Sequence, residues 1–259
     1  MSDHISIRPF NKPFLVIAHR GASYDTPENT MSAFKLAHQM GAEMIELDVQ
    51  LSKDGVPVVF HDSTLDKKSS GSGIVSSYTV RDLKQLDVGS WFSSRFKGEK
   101  IPLLEEVLEW AKNKILLNIE IKPEAFEEKP GRGIEEKVIE LAESYNMKNS
   151  VLISSFHYIA LKRLKEIAPD LTTGLLYYKK TSNGLSPSEL LKLYRADFFH
   201  CSRREIKKSW VEELRQNNHP FLIYTVNRPR QMRKFIRMGA FGIFSDKPDL
   251  LKEIKEKTE

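Results

Sequence analysis

A single cysteine, Cys201, in 259 residues excludes an internal disulfide framework and leads us to expect a reducing compartment, the cytoplasm. The opening stretch, from Met1 to Phe10, has no apolar segment of the kind a secretory signal needs. No uninterrupted apolar run is long enough to span a bilayer, so stable membrane insertion is not expected. Neither sign of charge dominates: Lys and Arg total 40 against 35 Asp and Glu, a formal +5. An excess so small and dispersed suits an anionic small molecule and gives no ground for nucleic acid. Also missing is a Gly-x-Gly-x-x-Gly or Walker-type loop after the first apolar run, which weighs against an open, doubly wound nucleotide-binding sheet. Nothing in these features speaks to oligomeric state.

What the chain does have is alternation. Strand-like runs at Phe14–His19, Glu43–Gln50, Ile115–Ile121, Val151–Phe156, Thr173–Tyr178, Asp197–Ser202, Phe221–Val226 and Phe241–Asp246 are separated by segments of helical spacing. The first helix is expected to open at Thr26-Pro27 as cap and first turn, with Gly41 closing it. Later helices are expected over Ile134–Tyr145, Tyr158–Ile167, Ser188–Tyr194, Ser209–Gln216, Pro229–Met238 and Pro248–Lys257. Eight such units in one chain of this size predict an α/β fold of the (β/α)8 TIM-barrel type. The interval after the second strand is too long for a normal crossover. It holds a turn at Lys53-Asp54-Gly55, a strand Val56–Phe60 and a Ser/Gly-rich stretch. We read residues 51–101 as a small insertion at the barrel mouth, and residues 1–50 and 102–259 as the barrel, with its second helix starting near Leu103.

The chemistry sits at strand ends. The first apolar strand delivers His19-Arg20-Gly21 at its tip. In "MIELDVQL" side chains alternate, so Glu46, Asp48 and Gln50 share the face opposite Ile45, Leu47, Val49 and Leu51. Two carboxylates at adjacent inward positions of a barrel repel one another, and burial raises the cost, so the pair calls for a cation. "LLNIEIK" repeats the pattern, placing Asn118, Glu120 and Lys122 on one face. Glu120 then joins Glu46 and Asp48 in an all-oxygen set that suits Mg²⁺ or Ca²⁺ better than zinc. His61, at the end of "VPVVFH", supplies a second histidine near that cation, and paired histidines suit general acid and base work. Arg20 and Lys122 are the groups to grip a phosphate oxygen. Together these are the equipment for cleaving a phosphate ester.

These residues fall in a recognisable pattern: "HRG" with "PENT", "GAEMIELDVQLSKDGVPVVFHD", "GSWFSSRFKGEKIPLLEEVL", "LNIEIK", "SSF", "YTVN" and "GIFSDKPD". The sequence resembles the glycerophosphodiester phosphodiesterases of the bacterial, cytosolic type, over nearly the whole chain. The resemblance implies a barrel with an insertion after its second strand. It also implies metal-dependent hydrolysis of glycerophosphodiesters, such as glycerophosphocholine or glycerophosphoethanolamine, to sn-glycerol 3-phosphate and an alcohol. Carried over by motif, His19 and His61 resemble the acid–base pair, and Glu46, Asp48 and Glu120 the ligands of one divalent cation. Arg20 and Lys122 resemble phosphate contacts, Glu28 of "PENT" a further polar contact near the metal or glycerol, and Tyr224 an aromatic wall for the glycerol. In the mechanism the resemblance implies, the glycerol 2-hydroxyl attacks phosphorus and a cyclic phosphate is then hydrolysed. Many relatives carry Trp where this chain has Tyr224, and Asp and Thr where it has Phe241 and Ser245. "DKPD" is read chiefly as the opening of the last helix.

The alternatives are a lysophospholipase D-type phosphodiesterase with a lipid tail at the mouth, and a non-catalytic phosphate-binding barrel. Trp91-Phe92 are candidates to cover the mouth, and Phe156 and Tyr178 to line it. His4, His38, His157 and His219 read as surface or helix residues and His200 as a buried structural one. The run Arg228, Arg230, Arg233, Lys234 and Arg237 reads as a solvated helix face.

Overall fold

The computed structural model of the chain describes residue 7 and residues 14–126 and 133–258; His4 lies outside the described residues. Nine strands form one sheet: β1 (Leu15–His19), β2 (Met44–Leu51), β3 (Pro57–Val59), β4 (Leu116–Ile121), β5 (Val151–Ser155), β6 (Thr172–Leu176), β7 (Phe198–Ser202), β8 (Phe221–Tyr224) and β9 (Gly242–Ser245). All but β3 pair in parallel, and β1 pairs with both β2 and β9, which closes the eight parallel strands into a barrel. The helices that return the chain from one strand to the next are α1 (Met31–Gln39), α3 (Leu104–Ala111), α4 (Ile134–Ser144), α5 (Tyr158–Ile167), α6 (Pro187–Tyr194), α7 (Lys208–Gln216) and α8 (Pro229–Arg237), and α9 (Pro248–Glu256) follows the last strand. The expected TIM barrel is the observed fold.

Alternation along each strand sorts the core into two layers. Outward residues such as Val16, Ala18, Ile45, Leu47, Leu117 and Ile119 pack against Phe34, Ala37, Val107, Leu108 and Val138 of the surrounding helices. Inward residues change character along the barrel axis. At the N-terminal end Leu15, Ile17, Met44, Leu116, Leu152, Phe198, Leu222 and Phe244 fill the interior, with Ile7 packed against them. Further along the same strands come Glu46, Asp48, Asn118 and Glu120. An apolar plug below thus supports polar groups above, at the end of the barrel where βα loops gather.

The first helix begins four residues later than the sequence suggests. Thr30, not Thr26, is its cap: the Thr30 hydroxyl accepts from the Ala33 amide, while Thr26 donates to the Ala22 carbonyl. Asn29 takes a left-handed φ of 56°, which interrupts helical geometry, because its side chain is drawn to Asp48. Gly41, with φ of 83°, closes the helix as expected.

Between β2 and α3 the chain makes an excursion. β2 runs eight residues, and its far end pairs antiparallel with β3, Val49 opposite Val59 and Leu51 opposite Pro57. A short helix, α2 (Val80–Leu83), follows, and the excursion packs around its own cluster of Val58, Phe60, Leu65, Val75, Leu83, Val88 and Ile101. Its stem returns to the barrel through Gln50, whose amide donates to the carbonyls of Phe60 (2.8 Å) and Asp62 (2.9 Å). That bond sets the residue between them, His61, over the barrel mouth.

Candidate active site

β2 and β4 run in register with Asp48 beside Glu120, so Glu46, Asp48 and Glu120 converge. One carboxylate oxygen from each lies within 4.8 Å of the others, and the three residues are only 3%, 1% and 9% exposed. Two cations face them. Arg20, in the left-handed region at φ of 57°, donates its backbone amide to Glu46 Oε2 at 2.9 Å and places its Nε 3.2 Å from Asp48 Oδ2. Lys122 Nζ lies 3.1 Å from Glu120 Oε1 and 3.4 Å from Asp48 Oδ1. A non-glycine residue at positive φ is held only where its surroundings demand it; here they are these two carboxylate contacts.

The charges do not balance, and the carboxyl groups respond. Asp48 is held well below the usual carboxylate range: burial pushes it up, but Arg20, Lys122 and His61, with the Asn29 amide donating at 2.9 Å, more than offset this. Burial, then the charges of Asp48 and Glu120, hold Glu46 far above its usual range. Burial and Asp48 push Glu120 up to about 7 in spite of Lys122. The protein itself supplies two positive charges to three buried acids, so Glu46 and Glu120 hold their protons more tightly than exposed carboxyls do. A hard, all-oxygen donor set short of positive charge fits a divalent cation.

The two histidines each rest on a carboxylate. His19 Nδ1 lies 2.7 Å from Asp246 Oδ1, and Asp246 also accepts from Ser23 Oγ (3.2 Å) and from the Asn227 amide. Burial raises Asp246, but His19, Asn227 and Ser23 together more than offset this and hold it below its usual range. His61 Nδ1 lies 2.6 Å from Asp62 Oδ1, and burial lowers the imidazole below its ordinary value. An ionised acceptor on Nδ1 fixes a proton there and leaves Nε2 free to exchange one.

His19, Arg20, Glu46, His61, Glu120 and Lys122 all line one cavity of about 260 Å³. Its opposite wall is formed by Phe156 and Tyr224, rings edge to face at 6.2 Å, and Tyr224 donates its hydroxyl to the Tyr177 carbonyl at 3.2 Å, leaving the ring to face inward. Glu28 is not part of that lining. It accepts from Arg20 Nη1 (2.9 Å) and from Lys68 Nζ (2.8 Å), and so anchors the arginine from behind. His200 is buried at the floor with neither ring nitrogen bonded among the described residues, and burial takes it down to about 3, a neutral imidazole. His157 caps α5, accepting from the Ala160 amide, and His219 bonds Ser188.

Sequence reasoning missed the supporting residues. Asp246 lies in "SDKPD", read there as a helix start; Asn29 and Asn227 lie in "PENT" and "YTVN", where no role was attached to them. Their one available signal is position, each immediately following a strand end or a residue singled out for chemistry.

The chain is similar to known proteins over most of its length. The Glycerophosphoryl diester phosphodiesterase family matches residues 19–250. A glycerophosphodiester phosphodiesterase of Caldanaerobacter subterraneus is 42% identical over 238 residues, covering 92% of this chain and 96% of that one. A solved phosphodiesterase of Oleispira antarctica, in complex with the product sn-glycerol-3-phosphate, is 31% identical with a TM-score of 0.80, covering 93% of this chain and 96% of that one. A solved glycerophosphodiester phosphodiesterase of Agrobacterium tumefaciens is 30% identical, also with a TM-score of 0.80, covering 93% and 99%. With the barrel, the acidic cluster and the histidines at one mouth, the chain belongs to the glycerophosphoryl diester phosphodiesterase family and is an enzyme of that class.

Proposed function

We propose that this enzyme hydrolyses small glycerophosphodiesters, such as glycerophosphocholine or glycerophosphoethanolamine, to sn-glycerol 3-phosphate and the free alcohol. The observation that carries the reading is the single cavity lined by Glu46, Glu120, two cations and two carboxylate-backed histidines, with Asp48 buried against the two glutamates. The Oleispira relative's bound product supports the glycerol half of the substrate.

In this reading Glu46, Asp48 and Glu120 hold one divalent cation, Mg²⁺ or Ca²⁺. When bound, it supplies the positive charge the three acids lack and polarises a phosphoryl oxygen. Arg20 and Lys122 hold the non-bridging phosphate oxygens, Arg20 kept in place by Glu28. Tyr224 gives the glycerol carbons an aromatic wall. One histidine takes the proton of the glycerol 2-hydroxyl as that oxygen attacks phosphorus, and the other gives a proton to the departing alcohol oxygen. The P–O bond to the alcohol breaks, a cyclic phosphate forms, and water opens it with the two histidines in exchanged roles. The residue 51–101 insertion belongs to the catalytic unit, because it carries His61. The buried, unpaired Cys201 is in keeping with a cytoplasmic setting.

The test is release of glycerol 3-phosphate from glycerophosphocholine, read by a coupled dehydrogenase, with EDTA and then Mg²⁺ or Ca²⁺. Release that stops with EDTA and returns with metal is expected. Metal-independent release would remove the cation from the reading, and no release with any metal would remove the substrate.

A further inference from the structure

The loops around the cavity carry a second pattern that the chemistry above does not use. Lys179 and Lys180 follow β6, Arg203 and Arg204 follow β7, and Arg228 follows β8, with Arg230 beside it in the first turn of α8. These three consecutive loops hold one acidic residue, Glu205. All six cations are exposed or half-buried, and none forms a salt bridge among the described residues. The three exposed aromatic side chains of the described residues stand on the same rim. Tyr178, 43% exposed, leans edge to face on Phe156 of the cavity wall at 6.5 Å. Tyr24, 58% exposed, donates its amide to the Asp246 carbonyl and lies 3.5 Å beneath Lys247 Nζ. Trp91, 40% exposed, lies 5.9 Å from Lys68 Nζ, the lysine that grips Glu28. The other exposed large apolar residues, Ile74, Ile159, Ile167 and Leu193, are aliphatic.

We propose that this rim is a docking surface for an anionic lipid bilayer, on which the enzyme seats reversibly with its cavity facing the lipid; the inference rests on the glycerophosphodiester reading of the site. Unpaired cations along one half of a mouth are attracted to an anionic leaflet, and Tyr and Trp rings with one wet end favour the headgroup level. Single-stranded nucleic acid is the competing partner for cations and aromatics. The geometry disfavours it: the aromatics come from three separate loops around a cavity, not from a track along a groove. No helix of the described residues is long and apolar enough to cross a membrane, so the contact is superficial. Seated this way, the pocket meets diesters that still carry an acyl chain.

The experiment is co-sedimentation of the intact protein with phosphatidylcholine vesicles, with and without phosphatidylglycerol, beside retention on a single-stranded oligonucleotide. Wild type is expected to bind the phosphatidylglycerol vesicles selectively and to leave them as salt rises. A basic residue near an anionic surface strengthens binding about fivefold, so Lys179→Glu, Lys180→Glu, Arg203→Glu and Arg204→Glu together should weaken it more than a hundredfold. Tyr178→Ser with Trp91→Ser should weaken it further while leaving its salt dependence. Equal binding to both vesicles, no binding, an unaltered charge-reversed variant, or tighter binding to the oligonucleotide would each overturn the proposal. Hydrolysis of water-soluble glycerophosphocholine is measured on the same samples. Its absence in wild type would sink the reading of the site, while its persistence in the charge-reversed variant shows that a loss of vesicle binding reports the rim alone.

Discussion

Metal affinity should depend on pH well above the range in which ordinary carboxylates titrate. Asp48 is held low, but Glu120 is pushed up to about 7 and Glu46 is also raised, so in acid a cation must compete with protons for two of its three oxygen donors. At pH 5.5, releasing the Glu120 proton costs roughly 1.4 kcal/mol for each unit between 5.5 and 7, about 2 kcal/mol, or some 30-fold in Kd relative to pH 8. Glu46 adds to this in the same direction. A raised folded value also means that the folded chain holds a proton the unfolded chain releases. Metal-free stability from these two groups is therefore full below about 4.5 and falls as pH rises toward 7. Stabilisation by metal should grow over the same interval. Titration calorimetry with Mg²⁺ and Ca²⁺ at pH 5.5, 7 and 8.5, in buffers of different ionisation enthalpy, measures both the Kd and the protons released. A Kd unchanged between pH 5.5 and 8.5, with no proton release, would show that the carboxyls are already ionised and would refute the charge-deficit argument.

Three other outcomes are expected. Replacing His19 or His61 with Ala should lower kcat by roughly 10²–10⁴ with the melting temperature within a few degrees of wild type, because both are half-buried at the mouth rather than packed in the core; near-normal rates in both would end the acid–base assignment. Asp246→Asn removes the carboxylate that faces His19 Nδ1 and sets an amide NH2 against either His19 Nδ1 or the Asn227 amide, so kcat should fall at least about 100-fold while KM changes little. A pure KM effect would show instead that Asp246 shapes the pocket. Gly21→Ala puts a methyl 2.6 Å from Ala33 Cβ at a φ of 83°, and should cost about 2–5 kcal/mol, lowering the melting temperature by roughly 5–15 °C; differential scanning calorimetry decides, and an unchanged transition would mean that the turn after β1 shifts freely.

Much of the site was legible because it obeys a period of two. Glu46 and Asp48, and Asn118 and Glu120, needed only strand alternation and the premise of a barrel to be set facing inward. Their barrel register, Asp48 beside Glu120, is what makes three separate acids one cluster. The start of the first helix was misread at Thr26-Pro27 because local propensity there is overridden: Glu28 and Asn29 are pulled to Arg20 and Asp48, and the helix waits until Thr30 can cap it. Glu28 itself shows how far a motif reaches, since its place behind Arg20, shared with Lys68 of the excursion, depends on how the excursion folds back.

The sequence by itself determined the class of fold, through eight repeats of strand and helix, and the candidates for the reacting groups, because their side-chain chemistry is local. Only the tertiary structure decided their support. His19 and Asp246 are 227 residues apart, and they meet because β9 closes against β1. The raised proton affinity of Glu46 and Glu120 likewise follows from burial and from the neighbours that barrel closure imposes, which no stretch of sequence carries alone.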